Sequence, residues 1–184
     1  MIKLFLRRIA SSATVFALAF ICVPSSNASV LVEPYLGFDT GHWTAGSASS
    51  SMSGATYGAR LGYQELGFMA GLDYMTGHWT DNATPSDTWN PSDFSLFVGF
   101  NFPVMLRVYA EYGFSSRLSG SNSNGSNNIK GNDLKLGVGF TMFPLVSINV
   151  EYLAGTYTKD SSGTLTDNLS DKMIGLNVSL PLTF

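Results

Sequence analysis

The chain has 184 residues, room for one domain, and its one cysteine cannot build a disulfide scaffold. Its formal net charge is −3, a balance that argues against nucleic acid as a partner. Only 12% of residues are charged against 45% apolar ones, so most of the polarity must come from Gly, Ser, Thr and Asn.

The first 28 residues stand apart from the rest. Lys3, Arg7 and Arg8 precede an apolar run from Ile9 to Val23, Pro24 ends it, and Ser26-Asn27-Ala28 offers the small residues a signal peptidase reads. The run is short for a membrane span. Cys22 follows Ile21, where a lipoprotein signal needs a small residue. The expectation is an exported chain cleaved after Ala28, leaving one domain over residues 29–184. Without Lys3, Arg7 and Arg8, seven basic residues face thirteen acidic ones, and no cysteine remains.

From Val30 to His42 the residues alternate, with Val30, Val32, Leu36 and Phe38 on one face and Glu33, Tyr35, Gly37 and Asp39 on the other. A period of two predicts a β-strand with one apolar and one polar face. The second strand is predicted over Ala55–Gln64, with Tyr57, Ala59, Leu61 and Tyr63 opposite Arg60. A short link near Glu65 leads to the third, Leu66–Gly77, where Phe68, Ala70, Leu72 and Tyr74 oppose Asp73. After a polar stretch from about His78 to Pro91, Phe94, Leu96, Val98, Phe100 and Phe102 mark the fourth, with Phe97 a misfit on its polar face. Pro103 predicts a tight turn. The fifth sets Leu106, Val108, Ala110, Tyr112 and Phe114 against Arg107, Tyr109 and Glu111.

Ser119–Asn132 is nearly all Ser, Asn and Gly and reads as a mobile loop, since little in it can offset the entropy of ordering. A sixth strand follows over Leu134–Met142 with Lys135 on its polar face, then a turn at Pro144. The seventh, Ser147 to about Thr158, sets Ile148, Val150 and Tyr152 against Asn149 and Glu151. Lys159–Asp171 reads as a loop before a last strand, Ile174–Phe184, in which Leu176, Val178, Leu180, Leu182 and Phe184 alternate with small or polar residues.

Eight strands result, with long connections after the odd ones and tight turns after the even ones. A soluble sandwich has no reason to gather its long loops at one end. A barrel inserted into a membrane from one side does. With no apolar run long enough for a spanning helix, a membrane chain must satisfy its backbone between strands in a closed cylinder. The predicted fold is therefore all-β, an eight-stranded antiparallel up-and-down transmembrane barrel. Its apolar face meets lipid. Weak repeats, Thr40-Gly-His-Trp-Thr44 with Thr76-Gly-His-Trp-Thr80 and Val98-Gly-Phe100 with Val138-Gly-Phe140, fit a hairpin period. Tyr57, Tyr74, Phe94, Phe114 and Tyr152 near one rim, and Tyr63, Phe68, Phe102, Phe140 and Phe184 near the other, read as aromatic belts.

The signal-like N-terminus, the alternating strands and the final Leu180-Pro-Leu-Thr-Phe184 together resemble the small eight-stranded outer-membrane barrels of bacteria. That family includes outer-membrane protein X and the transmembrane domain of outer-membrane protein A. The resemblance implies residence in a Gram-negative outer membrane, in contact with its lipid and lipopolysaccharide. It also implies that Leu180, Leu182 and Phe184 form the signal read by the barrel-assembly machinery during insertion. With the sequence ending at Phe184, the peptidoglycan-anchoring role of outer-membrane protein A is not expected.

The polar faces place Glu33, Asp39, Arg60, Asp73, Arg107, Glu111, Lys135 and Glu151 inside the cylinder. Eight strands leave room there only for side chains. These charges must therefore pair, with Arg60, Arg107 and Lys135 each bridging several carboxylates. His42 and His78, with a strand between them, stand too far apart to share a zinc ion. Trp43 and Trp79 have inward parity unless a bulge turns them out. The expected function is non-enzymatic, without metal or cofactor: a barrel that anchors surface loops around Ala45–Ser53, Thr80–Pro91, Ser115–Asn132 and Lys159–Asp171. Envelope integrity, adhesion or defence all fit such a role. The alternatives are a narrow pore for small solutes and a lipid A-modifying enzyme that pairs His42 or His78 with a serine such as Ser92 or Ser95.

Overall fold

The computed structural model describes residues 29–82, 87–122, 125–143, 145–160 and 163–184. The leader expected over 1–28 and the turn expected at Pro144 lie outside them. The described chain is wholly β. Its strands are β1 (Ser29–Ala45), β2 (Ala48–Glu65), β3 (Phe68–Asp81), β4 (Thr88–Asn101), β5 (Leu106–Asn122), β6 (Gly125–Phe143), β7 (Val146–Asp160), β8 (Gly163–Ser179) and a two-residue β9 (Leu182–Thr183).

Each strand pairs antiparallel with the next, and β1 pairs with both β2 and β8, which closes the cylinder. The wall has eight strands, because β9 continues β8 beyond an interruption at Leu180-Pro181. Proline has no N–H to give the ladder. The strand resumes at once: Leu180 N donates to Pro34 O at 3.0 Å, and Val30 and Phe184 exchange two bonds of 2.9 and 3.0 Å.

Alternation sets the two faces. Leu36, Phe38, Leu61, Leu72, Leu96, Val98, Val138, Val150, Ile174 and Leu176 all point outward and are exposed. A continuous apolar band of this kind rings the barrel, as hydrocarbon on the outside requires. Aromatic contacts knit both of its edges. Phe68 meets Phe100 edge-on at 4.7 Å near one rim, and Tyr74 meets Phe94 at 4.8 Å near the other.

Strands of about ten residues are expected from membrane thickness, but those observed run from 14 to 19. The surplus lies on one side of the apolar band, where long loops are expected. Gly46 and Ser47 alone turn β1 into β2, with Gly46 at φ +58°. The stretch expected as a mobile loop, 119–132, is antiparallel strand over its described residues: Ser119 pairs with Asn128, Gly120 with Asn127 and Asn122 with Gly125. Trp79 pairs with Trp89 inside the stretch expected to be polar coil, and Lys159–Asp171 falls largely within β7 and β8. The reason is that a ladder joins main-chain groups and tolerates Ser, Asn and Gly, provided something apolar anchors it. Leu118 and Ile129, both buried, supply that anchor.

The other rim has tight turns. Leu66 and Gly67 form one, both at positive φ (49° and 88°), so the expected link at Glu65 lies one residue further on. The second contains Pro103 and Met105 (φ 64°), and Phe102 N donates to Leu106 O at 2.7 Å.

Candidate functional site

The interior is filled in layers. Leu31, Met69 and Phe97 form a small apolar floor near the tight turns. Phe97, a misfit by sequence, is buried there, its backbone paired with that of Gly71. Beside this floor, Asn149 donates to Asn177 at 2.8 Å and to Ser179 at 2.9 Å. Toward the long-strand rim, Met52, Met75, Trp79, Leu118, Ile129, Tyr157, Leu169 and Met173 pack as an apolar cap inside the wall, with Trp43 and Trp89 against it. Trp79 is fully buried and Trp43 half-buried, so both keep their inward parity without a bulge.

Between floor and cap lies a charged layer. Register builds it: Glu33 on β1 is the cross-strand partner of Arg60 on β2, Arg60 of Asp73 on β3, and Glu111 on β5 of Lys135 on β6. The Arg60 guanidinium is completely buried. It donates Nε to Glu111 at 2.8 Å, Nη1 to Glu33 at 3.2 Å and Nη2 to Glu151. The rings of Tyr35 and Tyr109 flank it, 4.7 and 4.4 Å from its central carbon. Lys135 pairs with Asp73 at 3.1 Å and with Glu111 at 2.8 Å.

Arg107 behaves differently from the multiple bridge expected of it. Both its terminal nitrogens go to Glu33, at 2.7 Å each, a two-pronged match of one fork to one carboxylate. Tyrosines complete the layer: Tyr35 donates to Asp73 at 2.9 Å, and Tyr109 donates to Glu151. Gly58 and Gly137 sit beneath the Tyr35 and Tyr109 rings, where any Cβ would collide with them. Asp39 is buried but stands outside the network, beside Thr56 and Trp79, with no ion pair among the described residues.

Four further acids are buried on the same face and were not anticipated: Asp81, Asp93, Asp133 and Asp171. Their signal was present, since each continues the inward parity of its strand, Asp81 and Asp171 into stretches that composition made look like loop, Asp93 and Asp133 one residue ahead of the predicted strands. Uncharged donors hold three of them. Asp81 accepts from Trp43 Nε1 at 3.0 Å and Ser50 at 2.6 Å, Asp171 from the Gly155 amide at 2.6 Å and Tyr157 at 3.3 Å, and Asp133 from Ser116.

The histidines are on the outer surface. His42 pairs across to Ser51 and His78 to Ala55, so they are offset four positions along β2 as well as separated by it. His78 Nδ1 lies 2.8 Å from the Asn90 side-chain oxygen. Ser95 points into the barrel, and the Ser92 hydroxyl lies 3.5 Å from that of Tyr74. Among the described residues no hydrogen bond joins a histidine to a serine, although Ser51 stands across from His42, and no group of three potential ligands is placed to hold a metal ion.

The family model for the outer membrane protein beta-barrel domain matches residues 13–180 of this sequence. No curated protein matches it. Solved structures share the fold at low identity. Neisserial surface protein A aligns over 85% of this chain and all of its own, at 13% identity and a TM-score of 0.62. Ail, the attachment invasion locus protein of Yersinia pestis, aligns over 83% of this chain and 99% of its own, at 11% identity and a TM-score of 0.59. Ail has also been solved in complex with the heparin analogue sucrose octasulfate.

Proposed function

The chain belongs to the outer membrane protein beta-barrel family, and on that footing we propose that it is a sealed, non-enzymatic anchor whose wall carries a polar rim out beyond the outer leaflet. One observation carries this reading: floor, charged layer and apolar cap follow one another along the axis, each made of buried side chains. An open pore needs a wet path through all three. The cap alone sets Trp79, Leu118, Tyr157 and Met173 across that path.

The displayed element is the sheet itself. Outward on its extended part stand Thr44, Ser49, Ser51, Ser53, Thr80, Asn90, Ser119 and Asn128, a rigid hydroxyl- and amide-bearing surface. Envelope integrity, adhesion and defence are all served by a surface of this kind. Single-channel recording in planar bilayers is the direct test. The expected record shows no steady conductance, and a stable open level would overturn the sealed-core reading in favour of a solute pore.

Leu180, Leu182 and Phe184 fit a second part of the proposal, as the stretch that the assembly machinery engages. Leu180 and Phe184 stay exposed even while their backbone pairs with β1. Deleting Phe184 should slow assembly in cells while leaving refolding into detergent nearly unchanged. An unaltered assembly rate in pulse-chase labelling would refute that role.

A further inference from the structure

The charged interior uses three of the seven cations of residues 29–184. The other four, Arg117, Lys130, Lys159 and Lys172, are all exposed on the outer surface. Three of those four stand side by side. Lys130 on β6 is the direct cross-strand partner of Arg117 on β5 and of Lys159 on β7. Their Cα atoms are then about 5 Å apart from strand to strand, an arrangement in which like charges repel. None of the three forms an ion pair with a described residue. The acid nearest in sequence, Asp160, is turned to the β7–β8 hairpin and accepts from the Gly163 amide at 2.8 Å.

Strict alternation would not give this row. Counted by twos from the buried Glu111, Arg117 belongs inside the barrel; counted from the buried Glu151, so does Lys159. Register shifts between Gly113 and Ser116 on β5, and between Tyr157 and Lys159 on β7, reverse the parity of both strands. Each bulge therefore turns one cation outward, from either side, beside Lys130. Bulges re-aim side chains in this way at functional surfaces. Between them opens a groove of about 360 Å³ lined by Phe114, Ser115, Arg117, Lys130, Asn132 and Lys159.

We propose that this groove binds a phosphate-bearing lipid headgroup of the outer leaflet, with Arg117, Lys130 and Lys159 clamping the phosphate. The proposal rests on the membrane placement given above and deepens it to one site. Height decides for a lipid over a soluble polyanion. Phe114, Tyr112, Leu134 and Tyr152, all exposed, lie directly below on the same three strands and belong to the apolar band. Lys130 is four positions above Leu134, about 13 Å along the strand and less in height because barrel strands tilt. Long cationic side chains there lie at the level of the headgroups, their stems along the apolar edge. Asn132 donates to the Tyr112 hydroxyl at 3.1 Å, joining the groove to the aromatic belt.

The test titrates the folded full chain in detergent with lipopolysaccharide, with lipopolysaccharide stripped of phosphate, and with sucrose octasulfate as a soluble polyanion. Tighter binding of the phosphorylated lipid is expected. The triple variant Arg117→Gln, Lys130→Gln, Lys159→Gln should lose that binding by about a hundredfold. Lys172→Gln and the charge-keeping pair Lys130→Arg, Lys159→Arg should retain it. All three variants should keep the gel mobility of the folded barrel, since the residues are exposed. Equal binding of both lipids, or a triple variant within about twofold of the parent, would overturn the site. So would loss of sucrose octasulfate binding alone, which would assign the row to a soluble polyanion. Failure of the unsubstituted chain to insert into vesicles is read separately and would overturn the membrane placement together with the site.

Discussion

Arg60→Met should destabilise the folded barrel by about 3–5 kcal/mol, or abolish its assembly outright. The substitution keeps much of the volume and removes one charge, but three carboxylates depend on that charge. Glu111 and Glu151 receive Arg60 nitrogens directly, and Glu33 shares it with Arg107. Left without it, acids buried between the apolar floor and cap would stand unpaired, at a large cost. Arg60→Lys should recover little, because an ammonium offers its three donors from one nitrogen, whereas the guanidinium spreads its own over Nε, Nη1 and Nη2 to reach three separate carboxylates. Arg107→Met is the internal comparison. Glu33 is its one carboxylate partner among the described residues and keeps a bond from Arg60, so the cost should be clearly smaller. Urea unfolding in lipid vesicles measures all three. A wild-type midpoint for Arg60→Met would mean that water reaches the layer, and the sealed-core proposal would fall with it.

The second large effect belongs to the outer surface. Leu176→Arg, in the middle of the apolar band on β8, should cost about 2–4 kcal/mol, the penalty for a cation facing hydrocarbon near the bilayer centre. Ser170→Arg lies six positions away on the same strand and face, beyond the band, paired with Thr44 and Thr156. Its cost should be only about 0–1 kcal/mol. The contrast carries the argument, because both changes add the same side chain to the same strand. Equal and negligible costs would mean that neither face meets lipid. A larger cost at Ser170 would put the membrane at the wrong height, and the proposed headgroup groove with it.

Much of this was legible in the sequence for a local reason. A strand exposes alternate residues to opposite faces whatever its neighbours are, so Leu176 and Val178 against Asn177, or Arg107 and Glu111 against Val108, reveal orientation before any pairing is known. Composition misled where it was trusted over period. Ser119–Asn132 looks unable to order itself, and by itself it is. Paired to one another, its two halves need only Leu118 and Ile129 inside and a ladder of main-chain bonds between. The same error hid Asp81 and Asp171, and strands begun one residue late hid Asp93 and Asp133; all four simply continue their strands on the inward face. Composition also made stretches of wall look like surface loops.

The sequence by itself determined the faces of the regular strands: which of their residues meet lipid, which of their charges turn inward, and that backbone groups must pair around a closed ring. These follow from the two-residue period and from the cost of an unpaired amide in hydrocarbon, both properties of the chain taken strand by strand. Tertiary structure alone decided who meets whom. The three-way grip of Arg60, the single carboxylate held by Arg107 and the length of the wall depend on register between strands distant in sequence. The bulges that bring Arg117 and Lys159 outside depend on it too. A bulge is one residue too many relative to a neighbour, so it has no existence within a single strand's sequence. It exists only in the pairing.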